Sequence, residues 1–199
     1  DTYKNGRLQI NFRTDDKFYV LDRNGNEVRE LSFKIDFGEI INPISIFDYE
    51  KNRNYRFLVT NDNIIKMFDS KGKRVSGFKP NIFESSIIKS PVHIRIDGKD
   101  FITVQLENGD LKILDRRGRD RIKIDEKIQF SKNSIFSYMK TFTTTDNQGN
   151  LIQIGLDGKL SKKNLNLFPC QPDQHEWIAR CLEAVEDIPT ESMIAGINW

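Results

Sequence analysis

One short pattern constrains this chain more than any other feature. An alternating apolar run ends in Asp, two polar residues follow, and then Gly. It reads Phe18-Tyr-Val-Leu-Asp22-Arg-Asn-Gly25, then Ile65-Lys-Met-Phe-Asp69-Ser-Lys-Gly72, then Leu111-Lys-Ile-Leu-Asp115-Arg-Arg-Gly118. A shortened fourth copy is Ile152-Gln-Ile-Gly-Leu-Asp157-Gly158, and the aspartates are spaced by 47, 46 and 42 residues. Asp at the first position of a type I turn accepts hydrogen bonds from backbone amides two residues on. Gly at the fourth position takes the left-handed conformation that lets the returning strand pair through a bulge. Asp22, Asp69, Asp115 and Asp157, with Gly25, Gly72, Gly118 and Gly158, are therefore read as turn formers and not as catalytic groups. A period in the forties built from short strands is the mark of one propeller blade per repeat.

Strands can be placed around each turn from alternation and breakers. The second repeat has Ile44–Tyr49, Tyr55–Thr60, Ile64–Asp69 and Arg74–Lys79. The third has Pro91–Ile96, Asp100–Leu106, Leu111–Asp115 and Arg121–Ile124, and the fourth has Ser134–Met139, Phe142–Thr145, Leu151–Leu156 and Lys159–Leu165. The first shows only three clear strands, Leu8–Phe12, Phe18–Asp22 and Val28–Ile35. The fold class is thus all-β, with about four four-stranded propeller-type blades over residues 5–37, 42–80, 90–125 and 133–167, in a repeat domain 1–168. Closed rings have four to eight blades. With a strand short in the first repeat and no fifth turn signature, the expectation is a partial β-propeller. Its open edges are suited to strand-edge self-association or need covering.

Residues 169–199 break the pattern. Pro169-Cys-Gln-Pro172 ends the strands, Asp173 can cap a helix, and Trp177, Ile178, Cys181, Leu182 and Val185 fall on one helical face before Ile188-Pro189. This helical C-terminal tail is expected to pack over the open end of the blades; a partner-docking helix is the alternative. Both cysteines, Cys170 and Cys181, lie in it. Two free thiols are expected, a disulfide needing an oxidising compartment and close Cα atoms. The tail holds Arg180 against six acidic residues, so the +2 net charge of the chain hides a basic body and an acidic tail. Ordinary scattered surface charge explains this; docking of the tail on the body is the sharper reading.

The body resembles a flavobacterial group of propeller-like envelope proteins. The resemblance is carried by Phe18-Tyr-Val-Leu-Asp-Arg-Asn-Gly25, Phe47-Asp-Tyr-Glu-Lys-Asn-Arg-Asn-Tyr-Arg-Phe57, Leu111-Lys-Ile-Leu-Asp-Arg-Arg-Gly118 and Leu165-Asn-Leu167, and it covers about residues 5–167. It implies a longer array of the same blades and an extracytoplasmic place, in the periplasm or outer envelope, but no activity assignable to a residue. The tail departs from it where another blade is expected. No apolar run reaches the roughly 20 residues of a membrane-spanning helix, and Asp1-Thr-Tyr-Lys-Asn-Gly6 carries no signal-peptide pattern.

Asp48-Tyr-Glu50-Lys-Asn52-Arg-Asn54 places oxygen-bearing side chains at every second position of a loop, an arrangement calcium accepts. With two carboxylates and no turn glycine, a plain solvated loop is the competing reading, and no other cofactor is expected. His93 and His175 stand apart from any nucleophile motif, and no glycine-rich phosphate loop is present, Asp97-Gly-Lys-Asp100 being a hairpin turn. Phe78-Lys79 and Tyr138-Met-Lys140 put aromatic beside basic residues, which in so strand-rich a chain points to core more than to nucleic acid. The leading functional expectation is a non-catalytic interaction module that recognises a protein or an envelope glycan. The alternative is a glycan hydrolase whose carboxylates converge at the propeller channel.

Overall fold

The computed structural model describes residues 1, 3–14, 16–34, 42–79 and 81–165. The expected C-terminal helix, with Trp177, Ile178, Cys181, Leu182 and Val185, lies outside them. The described residues form fifteen strands in four antiparallel sheets, each following chain order. Blade 1 contains β1 (Ile10–Arg13), β2 (Lys17–Leu21) and β3 (Phe33–Lys34). Blade 2 contains β4 (Ser45–Phe47), β5 (Arg56–Asn61), β6 (Ile64–Asp69) and β7 (Asn81–Ile82). Blade 3 contains β8 (Val92–Ile96), β9 (Lys99–Gln105), β10 (Leu111–Leu114) and β11 (Asp120–Ile122). Blade 4 contains β12 (Phe136–Tyr138), β13 (Thr141–Thr145), β14 (Asn150–Ile154) and β15 (Leu160–Asn164). The architecture is all-β and propeller-type.

The core sits between blades and not within them. Phe18, Val20 and Leu31 of blade 1 meet Phe57, Val59 and Phe68 of blade 2. Leu58, Ile65 and Met67 on the other face of blade 2 meet Ile102, Val104 and Leu114 of blade 3. Phe101, Leu111 and Ile113 then turn toward Phe142, Ile152 and Ile154 of blade 4. A strand covered on both faces cannot alternate apolar with polar, which explains the continuous runs Phe57-Leu-Val59 and Phe101-Ile102. Near the inner side, β8 and β12 of adjacent blades run beside each other.

The recurrent turns join the third and fourth strands of blades 2 and 3 and the matching strands β2 and β3 of blade 1. In each, the Asp Oδ1 accepts two amides at 2.8–3.0 Å: Asn24 and Asn26 at Asp22, Lys71 and Lys73 at Asp69, Arg117 and Arg119 at Asp115. The fourth copy differs in frame. Its turn closes from Gly155, whose carbonyl accepts the Gly158 amide at 3.0 Å, so Asp157 stands at the third position. There it accepts one backbone amide, that of Lys159 at 3.1 Å, and faces the Lys159 ammonium at 3.7 Å. The full Asp bonding recurs instead one hairpin earlier, where Asp146 accepts the amides of Gln148 and Asn150 at 3.0 and 2.8 Å.

The glycines of these turns have a second role. A Cβ at Gly118 (φ 75°) would lie 2.8 Å from the Lys79 carbonyl oxygen of the preceding blade, and one at Gly158 (φ 82°) would collide with that of Lys123. The turn thus seats each blade against its predecessor. At the opposite end, connectors stitch blades through backbone bonds, Ile87 to Asp62 and Ile88 to Gln105, then Ile128 to Gly109 and Ser131 to Thr145.

Blade 1 repeats blade 2 at an offset of 47 residues: Ile10 pairs with Leu21 as Phe57 pairs with Phe68. The opening loop repeats as well. Asp1 accepts the amides of Asn5 and Gly6 at 3.0 and 2.7 Å, and Asp48 those of Asn52 and Arg53 at 3.1 and 2.8 Å. The three strands of blade 1 therefore match the last three of blade 2. Its far face bears Ile10 and Phe12, 61% and 45% exposed, where Phe57 and Val59 of blade 2 are 5% and 0% exposed. The far face of blade 4 is more polar: Thr141 and Gln153 stand where blade 3 has Phe101 and Ile113.

Candidate functional site

Antiparallel order puts the loops between first and second strands, and the recurrent turns, at one end of every blade. At that end blade 3 carries an open cavity of about 720 Å³, lined by Lys99, Asp100, Arg116, Arg117, Arg119 and Arg121 among others. Its floor is Asp100, 4% exposed. The sequence offered this residue as the end of a hairpin turn and the start of a strand, with no functional role.

Asp100 is the second residue of β9 and faces the preceding blade. His93 Nε2 lies 2.8 Å from its Oδ1, and the Arg116 guanidinium donates Nε and Nη2 to Oδ2 at 2.7 and 2.5 Å. Both nitrogens converge on one carboxylate oxygen, in charge-assisted hydrogen bonds that are stronger than neutral ones. Arg116 reaches on to Glu50 of blade 2 at 2.5 Å and lies over the Tyr49 ring, 4.7 Å from its centroid. Arg95 donates to the Tyr49 carbonyl at 2.6 Å, and the Tyr49 ring meets His93 edge-on at 4.9 Å. Burial alone would lower the pKa of Arg116, but its bonds to Asp100 and Glu50 outweigh that and hold it above its usual value. Burial pushes the Tyr49 phenol well up. The network thus joins blades 2 and 3 through fixed charges, and its buried acid is well matched.

Above this floor the wall is arginine-rich. Arg119 grips Asp115 through Nε at 2.9 Å and Nη2 at 2.7 Å. Burial would raise the Asp115 pKa, yet the Arg119 and Arg117 amides and the Arg119 side chain together hold it low. Arg121 donates to the Asp100 carbonyl at 3.1 Å and covers the Phe101 ring at 4.9 Å. Lys99 and Arg117 are exposed and enter none of the ion pairs among the described residues.

The four oxygen-bearing side chains of the loop after β4 are turned to other uses. Asp48 binds the loop amides, the Asn52 side chain accepts the Asn54 amide at 3.0 Å, the Asn54 side chain accepts from Arg56 at 2.9 Å, and Glu50 faces Arg116. Among the described residues no group of three or more His, Cys, Asp or Glu side chains gathers to hold a metal ion. His93, which the sequence left alone on its strand, belongs to the Asp100 network; His175 lies outside the described residues. Phe78 is core, as expected from its neighbours. The part of the site that sequence reasoning missed is the pairing of Asp100 with Arg116 across a turn and with His93 across a hairpin. The cluster Asp115-Arg-Arg-Gly-Arg-Asp-Arg121 was its one visible signal.

No family model matches the chain, and no curated protein resembles it in sequence. Solved structures share its fold. BBS1N, in a complex with ARL6DN, superposes with a TM-score of 0.58 at 14% identity, over 80% of this chain and 49% of that one. Hsv2 from Kluyveromyces lactis gives 0.51 at 13% identity, over 82% and 48%. BamB from Moraxella catarrhalis gives 0.50 at 14% identity, over 76% and 47%. The chain spans about half the length of each. No helix among the described residues is long and apolar enough to cross a membrane.

Proposed function

We propose that the chain is a non-catalytic interaction module, a set of propeller blades that presents a loop end to a protein or an envelope glycan. The observation that carries this reading is the state of the acids in the cleft. Asp100 is bound by Arg116 and His93, and Asp115 by its turn amides and Arg119. A glycan hydrolase needs two carboxyl groups free to face a shared space. The oxygens of Asp100 and Asp115 are instead taken up by these partners, which builds a rigid surface. The likeness to BBS1N, seen in complex with ARL6DN, supports recognition of a protein over a glycan. The resemblance to flavobacterial envelope proteins supports an extracytoplasmic place for that recognition.

The test places a photo-crosslinking residue at Arg117 and, separately, incubates the protein with envelope glycans while reducing ends are counted. A crosslinked protein or retained intact glycan is the expected result. Glycan cleavage that Asp100→Asn abolishes would overturn the reading and establish the hydrolase instead.

A further inference from the structure

We infer that the end of the array bearing the recurrent turns is a docking surface for an acidic polypeptide segment, with Lys99 and Arg117 as its uncommitted contacts. The inference rests on the interaction-module reading and names the chemistry of the partner.

Its basis is a charge division that the topology imposes. The turns after β2, β6, β10 and β14 all emerge at one end. They carry Arg23, Lys71, Lys73, Arg117, Arg119 and Lys159. The acids in the first three of these turns, Asp22, Asp69 and Asp115, are spent on the turns' own amides. The turns between the middle strands emerge at the other end and carry Asp62, Glu107, Asp110 and Asp146 without a basic residue. With Asp22, Asp69, Asp115 and Asp157 counted as charged, the turns of blades 1 and 4 are neutral. The positive surplus lies in blades 2 and 3, where Lys71 and Lys73 stand against Asp69, and Arg116, Arg117 and Arg119 against Asp115. At the other end Asp110 and Asp146 are paired with Lys127 and Lys162. The summed field at the basic end favours an anionic partner and speeds its encounter.

The lining of the cleft decides which anion. Asp100, Asp115 and Asp120 are interspersed with its cations. A nucleic-acid strand lays down phosphates at close, regular intervals and would bring some against these carboxylates. Carboxylate side chains on a peptide are separated and jointed, and can sit on Lys99, Arg117 and Arg121 while avoiding the acids between. Arg116 and Arg119 are already held, so the surface is ordered before any partner arrives.

The experiment measures fluorescence anisotropy with a labelled peptide containing eight glutamates, and with a thymidine oligonucleotide of equal charge, over a range of NaCl. The double variant Lys99→Glu/Arg117→Glu reverses two exposed cations of the cleft that enter no ion pair among the described residues. Lys132→Glu makes the same kind of change on an exposed residue of the connector at the opposite end. Melting curves show that all three proteins are folded, and Arg117→Gln serves if the double variant is not. The glutamate peptide should bind the wild type with an affinity that falls as salt rises. The double variant should bind at least about fivefold more weakly, as a few surface ion pairs require, with Lys132→Glu close to wild type. Equal binding by the double variant, equal weakening by Lys132→Glu, or tighter binding of the oligonucleotide each overturns the inference. A crosslinked partner whose binding ignores Lys99 and Arg117 would overturn it too, while leaving the interaction-module reading intact.

Discussion

Asp146 shows how much one turn residue carries. Its carboxylate is buried, accepts the Gln148 and Asn150 backbone amides and the Asn150 side-chain amide, which faces both of its oxygens, and pairs with Lys162 at 2.7 Å. Burial would raise its pKa; the Lys162 and Asn150 bonds overcome this and bring it to about 2, below the ordinary 3.8. A lowered folded-state value means stability that is present above the ordinary pKa and lost as pH falls through the folded one. The contribution is on the order of 2 kcal/mol and should fade between about pH 5 and pH 2. Asp146→Ala should remove that part of the pH dependence, read by urea unfolding at several pH values; an unchanged acid limb would refute the assignment. The recurrent glycines combine two demands at one atom. Gly118 needs its positive φ for the turn and its missing Cβ for the Lys79 carbonyl, whereas nothing lies within 4 Å of a Cβ at Gly25.

At the scale of elements, identical register produces opposite environments. Ile10 and Phe57 occupy the same place in their hairpins, yet one is exposed and the other lies in the core between blades 1 and 2. Phe57→Ala should cost about 3–5 kcal/mol, as loss of a buried aromatic does. Ile10→Ala should cost under about 1 kcal/mol. Comparable losses in urea unfolding would mean that the far face of blade 1 is covered in solution. The loops that lead into β1 and β5 are built by backbone amides donating to Asp1 and again to Asp48. The alternating oxygens that suggested calcium at Asp48, Glu50, Asn52 and Asn54 are engaged in that construction and in the bridge to Arg116. Alternation along a sequence displays oxygen atoms without saying what they face.

For the whole molecule, the placement of three cores between four sheets makes stability graded along the array. The middle strands of blades 2 and 3 are covered on both sides, while β1 and β15 are not. Amide exchange should therefore be slowest in β9 and β5 and fastest in β1 and β15, and uniform protection would contradict a blade-by-blade core. The sequence by itself determined the repeat, the positions of the turns and most strands, because those depend on contacts within a few residues: an Asp carboxylate reaching amides two and four positions on, a Gly admitting positive φ, and side chains alternating along a strand. It also revealed the three-stranded first repeat and the arginine cluster after Leu114. Only the tertiary structure decided that the fourth turn starts at Gly155 and that Asp100 lies beneath Arg116 beside His93. It alone decided that the basic turns of blades 2 and 3 meet at one end. Those outcomes depend on which strands lie side by side and which ends they share, and such distances are set by packing between residues far apart in the chain.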